Sequence, residues 1–121
     1  MPVARVSNIT KGTRLADRAE VADTSEKRRT GLLKHESLPE GEGLWIVPTE
    51  GIHTIGMKFP IDVLFLNRHR QVVKIRDNMG KWQLALSLKA HSVLELPAGT
   101  AALTQTGVGD QLEFEKYHLE G

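Results

Sequence analysis

The sequence predicts a mainly β domain, α+β by strict count, built as a small antiparallel β-barrel or rolled sheet with one short helix near residues 24–34. Short apolar runs with β-branched residues alternate with Gly and Pro along the chain, a pattern typical of many short strands. One segment carries the signals that begin a helix. A length of 121 residues fits one core, and we assign residues 1–121 to a single domain.

The first predicted strand covers residues 15–22. The helix follows it, because Asp23, Thr24 and Ser25 offer oxygens that can cap a helix and Glu26 supplies an early acidic side chain. Further strands are predicted at residues 43–47, 51–55 and 92–96. Residues 81–90, in which large apolar side chains alternate, predict either one more strand or an extended loop.

The most apolar strand covers residues 61–66, where both faces are hydrophobic except at Asp62. This pattern is typical of a central strand buried on both faces. A short polar turn joins it to residues 71–75, and the pair predicts a hairpin. Residues 111–115 alternate strictly, with Leu112 and Phe114 on one face, and predict a half-exposed strand.

Composition and missing motifs exclude several functions. The chain has no cysteine, which excludes thiol nucleophiles, zinc ribbons and iron–sulfur clusters and fits a reducing compartment.

Without an apolar leader or a run of about 20 apolar residues, we expect a cytoplasmic protein with no membrane partner. A net charge of +1 gives no long-range attraction for polyanions. Phosphate-loop, dinucleotide, zinc-protease and serine-hydrolase fingerprints are missing, so no cofactor is predicted.

Four short pieces of the chain occur in the order of one known pattern. They are His53-Thr54-x-x-Met57, Pro60-x-Asp62-x-x-Phe65-Leu66, Leu94-Glu95-Leu96-Pro97-Ala98-Gly99 and Gly109-Asp110. In this order they closely resemble the bacterial and archaeal family called domain of unknown function 192. The resemblance covers about residues 19–114 and implies a compact β-rich fold with a small helix. It implies no activity.

The polar and aromatic residues near these pieces define the candidate site, which comprises His53, Met57, Asp62, Trp82 and Glu95. In an extended strand His53 and Met57 would stand about 13 Å apart, so they share a site only if the chain bends, and Gly56 is the residue suited to that bend. Asp62, if buried, requires donors, which the backbone can supply. Glu95 is out of phase with its leucine neighbours, so it either joins the site, faces solvent or pairs with Lys58.

Three functions remain open at this point. The preferred one is a non-catalytic module that binds an unknown small molecule, peptide or protein partner at a polar site near His53, Asp62 and Glu95. The alternative is a metal-dependent or acid–base hydrolase that uses the same three residues, which would be the ligands although no metal is expected. The least favoured is weak nucleic-acid binding through two basic clusters, Lys27, Arg28, Arg29 and Lys34, and Arg68, His69 and Arg70.

Overall fold

A computed structural model describes residues 2–119 and shows a mostly β protein. Seven strands form one mixed sheet in the order β6-β5-β8-β3-β2-β1-β9, and β4 and β7 form a separate two-stranded ribbon. The predicted mainly β fold is confirmed. The elements are β1 (Pro2–Asn8), β2 (Thr13–Ala22), α1 (Ser25–Thr30), β3 (Glu42–Ile46), β4 (Gly51–His53), β5 (Ile61–Leu66), β6 (Val72–Met79), β7 (Leu84–Leu86), β8 (Ser92–Pro97), α2 (Thr100–Leu103) and β9 (Leu112–His118).

The sheet is rolled rather than closed, and it is not wholly antiparallel. Strands β2 and β3 pair in parallel, because the segment that contains α1 crosses over from the end of one strand to the start of the next. The edge strands β6 and β9 approach each other at the isolated bridge between Gln71 and Gln111. Over residues 2–119 the ladder does not continue from there, so the rolled sheet is confirmed and the antiparallel barrel is wrong.

Two apolar cores lie on the two faces of the rolled sheet. The inner core contains residues from all seven strands, including Leu64, Leu94 and Leu96. The outer core covers β3, β5 and β8, where Val63 and Val93 meet Leu32, which follows α1, and residues of the β4–β7 ribbon. Strand β5 is therefore buried along its whole length, as its apolar sequence predicts.

The short helix α1 lies over the outer core without burying any of its own side chains. The Thr24 hydroxyl accepts the backbone N–H of Lys27, and the helix ends at Gly31, whose φ of 51° is left-handed. The sequence predicted this helix but missed β1 and the four-residue α2. Within residues 2–119 both helices are too short to traverse a lipid bilayer.

Most predicted strands lie where the sequence placed them. Residues 61–66 and the start of β6 form the expected antiparallel hairpin. On β9, Leu112 and Phe114 are buried while Glu113 and Glu115 are exposed, so the predicted alternation is confirmed. The run at 81–90 forms a strand only over Leu84–Leu86.

Candidate functional site

The central polar residue of the candidate site is Glu95, in the middle of β8. It lies opposite Leu44 on β3 and Val63 on β5, and its side chain shares the outer core face with them. The residue is 5% exposed, and this burial raises the pKa of the Glu95 carboxyl from 4.5 to about 8. A carboxyl with this pKa is mostly protonated at pH 7.

No cation of residues 2–119 forms an ion pair with the Glu95 carboxyl. The expected alternative pairing with Lys58 is wrong, because the Lys58 ammonium instead binds Glu36 at the surface. Solvent exposure, the other alternative, is excluded by the burial of the residue. Glu95 is thus a buried acid whose head group has no partner in the described chain.

The side chain of Glu95 lines a cavity of about 160 Å³ beneath α1, which we call the Glu95 cavity. One wall is the α1 segment, and the opposite wall comes from β3, β4 and the loop after β4. The wall is mixed, with five large apolar side chains and six polar or charged ones. The lining residues are Arg28, Arg29, Thr30, Gly31, Leu32, Leu33, Ile46, Thr49, Gly51, Ile52, His53, Met57 and Glu95.

His53 and Met57 reach this cavity together because the chain bends between them. Gly56 has a φ of 82°, which glycine adopts without strain, and the Met57 N–H donates to the Thr54 carbonyl at 3.0 Å. The bend that the sequence required at Gly56 is therefore present. His53 is exposed at the end of β4, whereas Met57 is buried and packs in the outer core.

Thr54 fixes the position of the bend at Gly56 through two hydrogen bonds. Its hydroxyl donates to the Gly80 carbonyl at 2.6 Å and accepts the Gln83 N–H at 2.8 Å. These bonds join the loop after β4 to the loop before β7, and Thr54 is fully buried. The His-Thr pair of the family pattern thus combines a cavity residue with a structural one.

Asp62 does not belong to the Glu95 cavity, which corrects the expected cluster with His53 and Glu95. On β5 it pairs with Leu96 of β8, so its side chain lies on the inner face of the sheet, opposite to the face of Glu95. Its carboxylate accepts three backbone N–H groups, from Asn78 at 2.8 Å, Gly99 at 3.1 Å and Ala101 at 2.8 Å.

These bonds make Asp62 a structural residue that holds the turn before α2 and the end of β6 against β5. With Asp62 on the other face, the expected three-residue ligand set is split by the sheet. Among residues 2–119, His, Cys, Asp and Glu side chains form no group of three that could hold a metal ion.

Trp82 also lies outside the Glu95 cavity, which corrects its expected place in the candidate site with His53 and Met57. It is 73% exposed and precedes β7. Leu84, Leu86 and Leu88 are exposed as well, and Leu84 pairs directly with His53. Together they form an apolar stripe on the outer side of the ribbon.

The Gly109-Asp110 piece of the family pattern has a structural role. Asp110 accepts hydrogen bonds from the Asn8 amide, the Lys11 ammonium and the Gly107 N–H, each at 2.9 Å. These donors, led by Asn8, lower the pKa of the Asp110 carboxyl to about 2. These three hydrogen bonds join the end of β1 to the loop before β9.

Sequence reasoning missed four polar residues of the Glu95 cavity. Thr30 and Thr49 were not singled out, and Arg28 and Arg29 were noted only as members of a basic cluster. The signal for Arg29 was its place on the one predicted helix, but only the crossover of the chain puts that helix over β8.

Comparisons with known proteins agree with this fold. The family model DUF192, described as an uncharacterised ACR, matches residues 6–114. A UPF0127 protein of Pyrococcus furiosus is 29% identical over 115 residues, which are 90% of this chain and 97% of the relative. A UPF0127 protein of Thermococcus sibiricus is 30% identical over 114 residues, which are 89% of this chain and 73% of the relative.

Two crystal structures are similar to this chain. A protein of unknown function from Novosphingobium aromaticivorans has a TM-score of 0.79 and 26% identity, covering 92% of this chain and 83% of that one. A candidate transcription regulator from Sinorhizobium meliloti has a TM-score of 0.81 and 22% identity, covering 94% of each chain. The second similarity shows the fold alone.

Proposed function

Because this chain belongs to the DUF192 family, whose description assigns no activity, we propose from its geometry that it is a non-catalytic binding module whose ligand occupies the Glu95 cavity. The observation that supports this proposal is a buried carboxyl without an ion-pair partner in residues 2–119 that lines a partly open cavity. A polar group buried without a partner costs free energy. A ligand that hydrogen-bonds to Glu95 would recover this cost.

The volume of the Glu95 cavity limits the ligand to a small molecule or one small group. A cavity of about 150 Å³ lined by apolar side chains can hold benzene, and this one measures about 160 Å³. The bound group therefore has roughly six to eight non-hydrogen atoms. Its apolar body would contact Leu32, Ile52 and Met57, which line the cavity.

The charges around the cavity select the head group of the ligand. Glu95 is mostly protonated at pH 7, so it donates a hydrogen bond to a carbonyl or carboxylate oxygen. Arg28 is occupied, since its guanidinium donates to the carbonyls of Asp23 and Val47. Arg29 forms no ion pair within residues 2–119 and attracts an anion. We therefore propose a small carboxylic acid or carboxamide with an apolar body.

A titration with isobutyramide and with isobutyrate tests this proposal. Nitrogen-15 labelled protein is titrated with each probe at pH 6.5 and pH 9.5, and backbone amide shifts are followed by NMR. We expect saturable shifts at Leu32 and Ile52 at pH 6.5, and weaker binding at pH 9.5 because ionised Glu95 cannot donate.

Variants assign the binding to the carboxyl. Glu95→Met keeps the length of the side chain but removes its donor, so the affinity should fall about tenfold. Glu113→Met, at an exposed position of β9, is the matched control and should bind as the wild type does. Binding that is not saturable for either probe, or that is equal in the two variants, would contradict the proposal.

A second candidate function is acid–base hydrolysis, which the Glu95 pKa of about 8 favours. General acids work best when their pKa lies near the working pH, and His53 lines the same cavity. This candidate predicts slow cleavage of small p-nitrophenyl esters whose rate falls above pH 8 and is lost in Glu95→Gln. Equal cleavage rates in the Glu95→Gln and Glu113→Gln proteins would exclude this second candidate function.

A further inference from the structure

A second recess lies around the turn between β5 and β6. Two cavities of about 830 Å³ and 350 Å³ share four lining residues, Pro48, Asn67, Arg68 and His91, and so adjoin each other. We call the two together the turn cleft. It borders the Glu95 cavity only at Thr49, which lines both.

The turn cleft is lined mainly by positive charge. Its four permanent cations are Arg68, Arg70, Lys89 and Lys116, against the two carboxylates Asp23 and Glu50. None of the four cations forms an ion pair with residues 2–119. The four cations outnumber the two carboxylates, and an anion bound among the cations relieves the repulsion between them.

Trp45 provides an independent observation in the smaller cavity of the cleft. The residue is 3% exposed, and its indole N–H is buried with no acceptor in the described chain. Two cations lie over the same ring, the Arg70 guanidinium at 5.0 Å and the Lys116 ammonium at 5.4 Å from the centroid. An indole N–H can only donate, so the orphaned group requires an acceptor.

Arg70 adopts a backbone conformation that is unusual for its residue type. Its φ is 62°, a left-handed conformation that is costly for a residue with a Cβ. The guanidinium also lies 5.2 Å from the Phe114 ring, and such cation–π contacts are favourable. A cationic residue is thus kept in the cleft at a position where glycine would be less strained.

We infer that the turn cleft binds the phosphate group of a small phosphorylated molecule. Arginine and lysine donate charge-assisted hydrogen bonds to phosphate oxygens, and the volume exceeds what a single phosphate fills, which leaves space for the organic part. This site is separate from the Glu95 cavity and does not depend on the proposed function. Nucleic acid is the alternative occupant, and the test below distinguishes it.

Fluorescence of Trp45 tests the inference directly. The chain has two tryptophans, so Trp82→Phe leaves Trp45 as the single reporter beside the cleft. This protein is titrated with inorganic phosphate at constant ionic strength, with chloride as the balancing anion. We expect a saturable change in emission, and an affinity about tenfold weaker after Arg68→Gln, since a charge-assisted contact is lost.

The matched control is Arg18→Gln, which removes the same charge from an exposed position on β2 outside the cleft. Its affinity for phosphate should equal that of the parent protein. An emission change that does not saturate, or equal affinities in the Arg68→Gln and Arg18→Gln proteins, overturns the inference. Saturable binding of a single-stranded oligonucleotide that weakens steeply with salt, without a response to free phosphate, also overturns it in favour of nucleic acid.

Discussion

Replacing Glu95 with Gln should change how the stability of the protein depends on pH. In the native state burial raises the pKa of the Glu95 carboxyl to about 8, whereas its ordinary value is 4.5. Between these values the native chain keeps a proton that the unfolded chain has released. The free energy of unfolding therefore falls as pH rises, because protonation stabilises the native state.

The magnitude follows from the size of this pKa difference. One proton of difference changes the free energy of unfolding by about 1.4 kcal/mol for each pH unit. From pH 5 to pH 8 the wild type should lose roughly 3–4 kcal/mol through Glu95. Gln is neutral at every pH and similar in size, so Glu95→Gln removes this loss.

The assay is urea denaturation of wild type and Glu95→Gln at half-unit steps from pH 5 to pH 8. Other groups titrate in both proteins, so the quantity of interest is the difference between their free energies of unfolding. This difference should move in favour of the variant by roughly 3–4 kcal/mol across the range. Glu113→Gln, at an exposed site, should show no such trend, and a flat difference for Glu95→Gln would refute the reasoning.

Three further substitutions test the scaffold around the two sites. Gly43→Ala should lose about 1–3 kcal/mol of stability in urea denaturation, because its Cβ would meet the Glu95 carbonyl oxygen at 2.9 Å; wild-type stability would contradict this close approach. Asp62→Asn should lose about 2–4 kcal/mol of stability, because an amide cannot accept all three N–H bonds. His53→Ala, at an exposed site, should lose little stability. Equal losses in the two variants would contradict the assignment of Asp62 as structural. Asp110→Asn should reduce the loss of thermal stability between pH 4 and pH 2. The lowered pKa of Asp110 gives a stabilisation that is present above pH 3.8 and is lost as the pH falls through about 2. An unchanged loss of stability between pH 4 and pH 2 in the variant would exclude this role.

The sequence predicted the strands well where burial imposes a simple pattern. Residues 61–66 are apolar on both faces, and β5 is buried throughout. Strand β1 was missed because Pro2–Asn8 mixes polar and apolar residues without a clear period, and its pairing with β2 and β9 stabilises it. Helix α2 has four residues, too few to show a helical period.

Local sequence pattern also predicted only part of the candidate site. The spacing around Gly56 correctly predicted that His53 and Met57 need a bend to meet. The sequence also showed that Asp62 is in phase with Leu64 and that Glu95 is out of phase with Leu94 and Leu96. What could not be read was that the two strands pair in a register that directs these carboxyls to opposite faces.

The sequence by itself determined the family, the mainly β fold and the buried central strand, because these depend on local pattern and composition. Tertiary structure alone decided the roles of the candidate site residues. The parallel crossover between β2 and β3 places α1 over Glu95, where the α1 segment forms one wall of the cavity. The approach of β3 to the β5–β6 turn brings the Trp45 ring under Arg70. Both arrangements join residues far apart in sequence, and such contacts depend on strand order and register, which periodicity does not encode.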